Sequence, residues 1–330
     1  MSHTGSLLIM ATTRSQLAVD ALAAFDEADV RYALLQRPSP DFPASVTSDL
    51  DLVVAEPARA LLPRLLPGLR RRGLHPIISW VYDAGGATTI FLGTGDASDG
   101  AQIDLVHDTH GLGVDGLRAP PLLAQSIPDA HWWRVCDTHE LLYSLRKRHR
   151  KHDWSALERL VAQARELPSG ELRVEAFRIF AASIARQVCR LVESWPERHV
   201  PRRPARVRLH EASRLADRVV LPVGFWVELQ GKNCSVHARS IASRFGRFVP
   251  HVASGCHPDT ATEALPWLVQ DVARVRWRAG VFVSWTDRAL SRFPRPFGPD
   301  LTLYNTGAWE TAAAEIVAAM EARVLARAQA

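Results

Sequence analysis

Three aspartates in two short apolar runs are the residues of this chain best suited to chemistry. The first run, Ser48-Asp49-Leu50-Asp51-Leu52-Val53-Val54, alternates carboxylates with leucines, and the second, Gln102-Ile103-Asp104-Leu105-Val106, embeds one aspartate among apolar neighbours. Side chains two apart on a strand project from the same face, so Asp49 and Asp51 share one side while Leu50 and Leu52 take the other. Two carboxylates so close repel each other, and a divalent cation between them relieves the repulsion. A third carboxylate, Asp104, on a neighbouring strand would complete an oxygen-rich site. Mg²⁺ keeps several waters and takes one or two carboxylates plus substrate phosphates, so such a triad points to phosphoryl or nucleotidyl transfer from a triphosphate. The plain alternative is an edge strand with two solvated carboxylates and an Asp104 paired to an arginine.

The elements that must hold these residues follow from periodicity. Residues 15–29 are Ala-rich with near-helical apolar spacing and read as a helix, followed by a strand at 30–36 and a proline- and serine-rich loop. The carboxylate strand spans 49–55, a helix spans 57–73, and two strands at 75–82 and 88–92 flank a DAGGA hairpin turn. The Asp104 strand covers 101–108. Residues 112–128 look irregular, and from Thr138 the pattern is helical for about seventy residues. The arginine-rich stretch 198–208 reads as a linker. Beyond it come strands at 224–230, RFVPHV, 280–285 and 300–304, with helices after Gly231, over 262–277 and over 311–328. This alternation argues a small parallel α/β domain.

Helix, strand, Ser48-Asp49-x-Asp51 on a strand, helix, then an aspartate in an apolar strand resembles the polymerase-β-like nucleotidyltransferase superfamily, in the minimal form found in polysaccharide-biosynthesis clusters. The resemblance covers roughly residues 15–110. It implies that Asp49 and Asp51 bind one or two Mg²⁺ ions and that Asp104 serves as a further ligand and helps activate the attacking hydroxyl. It also implies that Ser48 and the turn after the first strand contact the nucleotide. Where the superfamily has a Gly-Gly or Gly-Ser turn, this chain has Leu35-Gln36-Arg37-Pro38, and Arg37 is the substitute phosphate ligand.

The strand ending VELQG, followed by Lys232 and a helix, resembles the opening of thymidylate-kinase-like P-loop proteins, and PDLTLYNTGAWETAAAEIVAAM resembles their closing segment. A working loop needs G-x-x-x-x-G-K-[ST]. Here Gly231-Lys232 remains, Trp226 replaces the first glycine and Asn233 the hydroxyl residue. The expectation is a degenerate kinase-like domain in which Lys232 retains a nucleotide-facing position.

The run Arg146, Lys147, Arg148, Arg150, Lys151 is the densest positive patch. On a helix it spreads around the cylinder, so it reads as a solvated face, or, by the superfamily resemblance, as a segment closing over the triphosphate. Lys+Arg 40 against Asp+Glu 35 leaves a net charge of +5 over 330 residues, too little to indicate a nucleic-acid binder, and nucleic acid is the less favoured partner. Apolar residues make up 47%, so the chain should fold throughout rather than remain disordered. The four cysteines lack zinc-ligand spacing, and the N-terminus lacks the layout of a secretory signal, which together suggest a cytoplasmic protein with reduced thiols. No apolar stretch is long enough to span a membrane. The expected class is α/β: a nucleotidyltransferase-like sheet at 1–115, a helical connector at 116–215 and a P-loop-like unit at 216–330. Two functions compete. One is a Mg²⁺-dependent transferase moving a nucleoside monophosphate from NTP to a hydroxyl or phosphate acceptor. The other is a catalytically decayed scaffold or regulatory binding protein.

Overall fold

The computed structural model describes residues 4–44, 49–83, 86–129, 132–197, 223–231, 233–256, 273–286, 298–304 and 309–329. Among these, the chain is a mixed α/β protein with a seven-stranded mixed sheet and a separate four-stranded parallel sheet. Helix α1 (Thr4–Glu27) leads to β1 (Tyr32–Leu34) and β2 (Leu50–Val54), then to α2 (Ala58–Arg71), β3 (Leu74–Asp83), β4 (Ala87–Thr94) and β5 (Gly100–Val106). A short α3 (Ala119–Ala124) and two three-residue strands, β6 (Ile127–Asp129) and β7 (Trp132–Arg134), complete the first sheet, ordered β3-β4-β5-β2-β1-β7-β6.

Alternation along the strands divides this sheet into two faces. Leu50, Leu52, Ile90, Leu92, Ile103 and Leu105 point to one side and join α1 and α2 in a single apolar core. The first helix packs there through Ala18, Ala21, Leu22 and Phe25, and α2 through Leu61, Leu62, Leu65 and Leu69. Each buried leucine contributes about 1.5–3 kcal/mol. The other face carries Ala33, Leu35, Val53, Ala87 and Val106, which share one apolar core with α3 and the helices α4 (Asp137–Lys151), α5 (Trp154–Glu166), α6 (Ser169–Ile179) and α7 (Ala182–Ser194).

The second sheet holds β8 (Phe225–Gln230), β9 (Val252–Cys256), β10 (Val281–Thr286) and β11 (Leu301–Tyr304) in the order β11-β8-β10-β9, all parallel. Helices α8 (Cys234–Phe245), α9 (Ala273–Trp277) and α10 (Trp309–Gln329) accompany it. Its core recruits Ile77, Ile78 and Phe91 from the first sheet. The last helix bridges the units: Ile316, Val317 and Met320 belong to the second core and Val324 to the first. Among the described residues no helix is long and apolar enough to cross a membrane, and no disulfide joins the four cysteines.

Several expectations shift. The stretch 112–128, read as irregular, contains α3 and β6, and with β7 the first sheet draws in strands from beyond residue 115. These strands are three residues long, too short for a visible alternation. RFVPHV is not a strand: β9 starts at Val252, after the break at Pro250, and its sequence VASGC has the weak apolar signal of an edge strand. The linker at 198–208 and the first part of the helix expected at 262–277 lie outside the described residues.

Candidate active site

Strands β2 and β5 run parallel with Asp51 beside Asp104. Across the next strand Thr89 pairs with Asp104, and on the edge strand Trp80 pairs with Thr89. Asp51, Asp104, Thr89 and Trp80 therefore form one row across four strands. The row beyond them on that face, Ala33, Val53, Val106 and Ala87, is buried under the helical bundle. The row before them, Ile78, Phe91 and Gln102, leads to the second unit, whose core takes up Ile78 and Phe91. The aspartates thus occupy a polar band between two apolar cores.

Asp49 lies one pleat ahead of Asp51 and lines, with Gln102, a cleft of about 240 Å³ between the first sheet and the second unit. Arg14 of α1 and Arg247, Phe248 and Val249 close its other sides. The floor of this cleft depends on a glycine. A Cβ at Gly100 would stand 2.4 Å from both the Leu92 carbonyl oxygen and Phe248 Cδ2, so the ring of Phe248 seats directly on the bare backbone of β5.

The charges of this band are strongly coupled. Burial raises the Asp104 carboxyl to about 6, and the charges of Asp51 and Asp49 act in the same direction. Two hydrogen bonds oppose them: Thr89 Oγ1 donates to Asp104 Oδ1 at 2.7 Å and Gln102 Nε2 at 3.2 Å. Asp49 is likewise raised, by burial and then by Asp51, while Lys147, Lys151 and Arg14 pull it down. The counter-charge comes from α4. Lys147 Nζ is ion-paired with Asp51 Oδ2 and lies 5.5 Å from the centre of the Tyr143 ring. Lys151, one turn on, has its ammonium pushed down by burial and by Lys147 and Arg150, with Asp51 acting against them.

The basic run on α4 is therefore not a solvated face. Arg146 and His149 are each 2% exposed, and Arg146 donates to the Val114 carbonyl at 2.7 Å. Arg146 and Arg150 both approach Asp115, and Arg148 meets Asp153. The helix lies between the sheet and α5–α7, and Arg146, Lys147, Arg148 and Arg150, buried or half-buried, each meet a carboxylate, whereas Lys151 is exposed. Lys147 is the residue of this run that reaches the aspartates, and the sequence did not single it out. Its signal is helical spacing: Leu141, Leu142 and Leu145 mark the face that α4 buries in the core shared with α5–α7, and Lys147 lies on the opposite face, toward Asp51.

The remaining expected residues lie elsewhere. Arg37 follows β1 and pairs with Asp129 at 2.8 Å, so its guanidinium is engaged at the β6 side of the sheet. Ser48 and Lys232 lie outside the described residues. Trp226 is fully buried within β8, its Nε1 donating to Ser284 Oγ at 2.9 Å. The strand continues to Gln230 and α8 starts at Cys234, which leaves a connection too short to wrap phosphates as G-x-x-x-x-G-K does.

The donors of the polar band are of the type Mg²⁺ takes, all carboxylate oxygens with a charge surplus that a cation would relieve. As the side chains stand, however, no three Asp, Glu, His or Cys residues among those described close around a common point. Asp51 faces Lys147, and Asp104 faces Thr89 and Gln102. Binding of a divalent ion would require Asp51 to release the Lys147 ammonium. No protein-family model matches the chain, and no curated protein sequence matches it.

Proposed function

We propose that the chain is a Mg²⁺-dependent nucleotidyltransferase that moves a nucleoside monophosphate from NTP to a hydroxyl or phosphate acceptor on a small molecule, sugar or protein. The observation that carries the reading is the in-register pair Asp51 and Asp104, with Asp49 one pleat away, in a polar band that opens on a cleft and is faced by two lysines of α4. Asp49 and Asp51 would hold the metal, with Asp104 as a further ligand or as the group that takes the proton of the attacking hydroxyl. When bound, Mg²⁺ would neutralise triphosphate charge and orient the phosphates. A carboxyl near 6 is mostly ionised at neutral pH and basic enough to receive a proton, which suits the second role of Asp104. Lys147 and Lys151 supply positive charge where phosphates would approach.

The test is titration calorimetry of each NTP with and without Mg²⁺. Metal-dependent binding that is lost in Asp51→Asn and Asp104→Asn supports the reading. Equal binding by folded variants, or none by the wild type, overturns it. The Lys147–Asp51 ion pair and the buried Trp226 favour a second reading, a decayed scaffold that uses the same fold without turnover. It expects no heat with any NTP.

A further inference from the structure

Among the cations of α4, Lys147 is the one whose acid comes from the candidate site. Arg146 and Arg150 approach Asp115, at 3.7 and 2.9 Å, and Arg148 takes Asp153 at 3.1 Å. Neither of those acids belongs to the polar band. Lys147 makes its one ion pair among the described residues with Asp51. Asp49 feels the same ammonium: burial and then Asp51 push its carboxyl up, and Lys147 is the foremost charge that pulls it back down. One ammonium therefore compensates both carboxylates of the pair that the proposed reaction assigns to Mg²⁺.

The helix fixes where this ammonium can reach. Leu141, Leu142 and Leu145 are buried in the core shared with α5–α7, and the fully buried His139 meets Glu175 of α6 at 3.0 Å. What can move is the flexible side chain of Lys147 itself. Its ammonium lies 5.5 Å from the centre of the Tyr143 ring, a contact that steadies it without supplying a counter-charge. The Lys147 side chain is only 16% exposed and that of Asp51 9%. Taking Asp51 from it without a replacement leaves a largely buried ammonium unpaired, which is costly. A bare divalent ion at Asp51 would do so, and would add a second cation beside the first. With a metal-bound triphosphate, phosphate oxygens receive the ammonium as Asp51 turns to the metal.

We infer that Lys147 is the resting counter-ion of the metal site: it holds Asp51 until a metal-bound triphosphate arrives, so that Mg²⁺ enters with the nucleotide and not ahead of it. This order of binding presupposes the nucleotidyl transfer proposed above.

Thermal unfolding of the full chain in increasing MgCl₂, at constant ionic strength and without nucleotide, tests it, because an ion that binds only the native state raises the melting temperature. The wild type should not respond at millimolar Mg²⁺. Lys147→Met should melt lower without the ion and rise with it, binding Mg²⁺ about tenfold more tightly or better. Adding Asp51→Asn should abolish that response, and Lys147→Arg, which keeps the charge, should stay as silent as the wild type. Lys147→Gln replaces the methionine variant if that one does not fold. A wild type or Lys147→Arg that responds to Mg²⁺ alone as strongly as Lys147→Met overturns the inference. A silent Lys147→Met, in a protein whose wild type binds NTP only with Mg²⁺, also overturns it and leaves the transferase reading standing. A wild type that binds no NTP in the presence of Mg²⁺ removes that reading, and the order of binding with it.

Discussion

Asp104 carries a measurable burden. Its carboxyl is raised from the ordinary aspartate value to about 6, so the folded state holds the proton more tightly than the unfolded chain. A group raised in this way favours folding below the unfolded value near 4, and that contribution is lost as pH rises through 6. At neutral pH the ionised carboxylate therefore costs stability. Asp104→Asn removes the charge and keeps an acceptor for Thr89. It should stabilise the protein at pH 7 by on the order of 2–3 kcal/mol and leave it unchanged below pH 4, read from urea unfolding across that range. Lys147 and Asp51 behave in the opposite sense. Asp51 is only 7% exposed, so Lys147→Met strands a buried carboxylate and should cost about 2–3 kcal/mol. Adding Asp51→Asn should recover most of the loss, and a double-mutant cycle reports the coupling. A double-variant loss equal to the sum of the two single losses would show that the pair contributes no coupling.

At the scale of elements, the junction of β5 with the second unit is the sharpest point of dependence. Gly100→Ala forces a methyl against Phe248 and the Leu92 carbonyl, and should cost about 1–3 kcal/mol while opening the cleft beside Asp49. A smaller partner, Phe248→Ala, should relieve part of the penalty in the Gly100→Ala background. Much of this level was readable in advance. The strands bearing Asp51 and Asp104 stand within two residues of where alternation put them, because one face of each is an unbroken apolar row. The short β6 and β7 were not readable, since three residues carry no period. Nor was the pairing of Lys147 with Asp51, a contact between residues far apart in sequence that only packing of α4 decides.

The whole molecule is bound together by α10. Its Glu321, 4% exposed, accepts from Arg70 of α2 and from His75 of β3, at 2.7 Å in the latter case. Glu321→Ala leaves Arg70 and His75 beside an emptied site and should cost about 2 kcal/mol. The loss should appear as one shifted transition detected equally by tryptophans of either unit. Two separated transitions would mean that the helix does not couple the units.

The same helix has a consequence for synthesis. His75 and Glu321 are 246 positions apart, so β3, an edge strand of the first sheet, leaves the ribosome long before the helix that covers it. Until then its apolar side and unpaired edge are open to other chains, the condition under which large α/β proteins aggregate or are held by chaperones. Folding should therefore be slow.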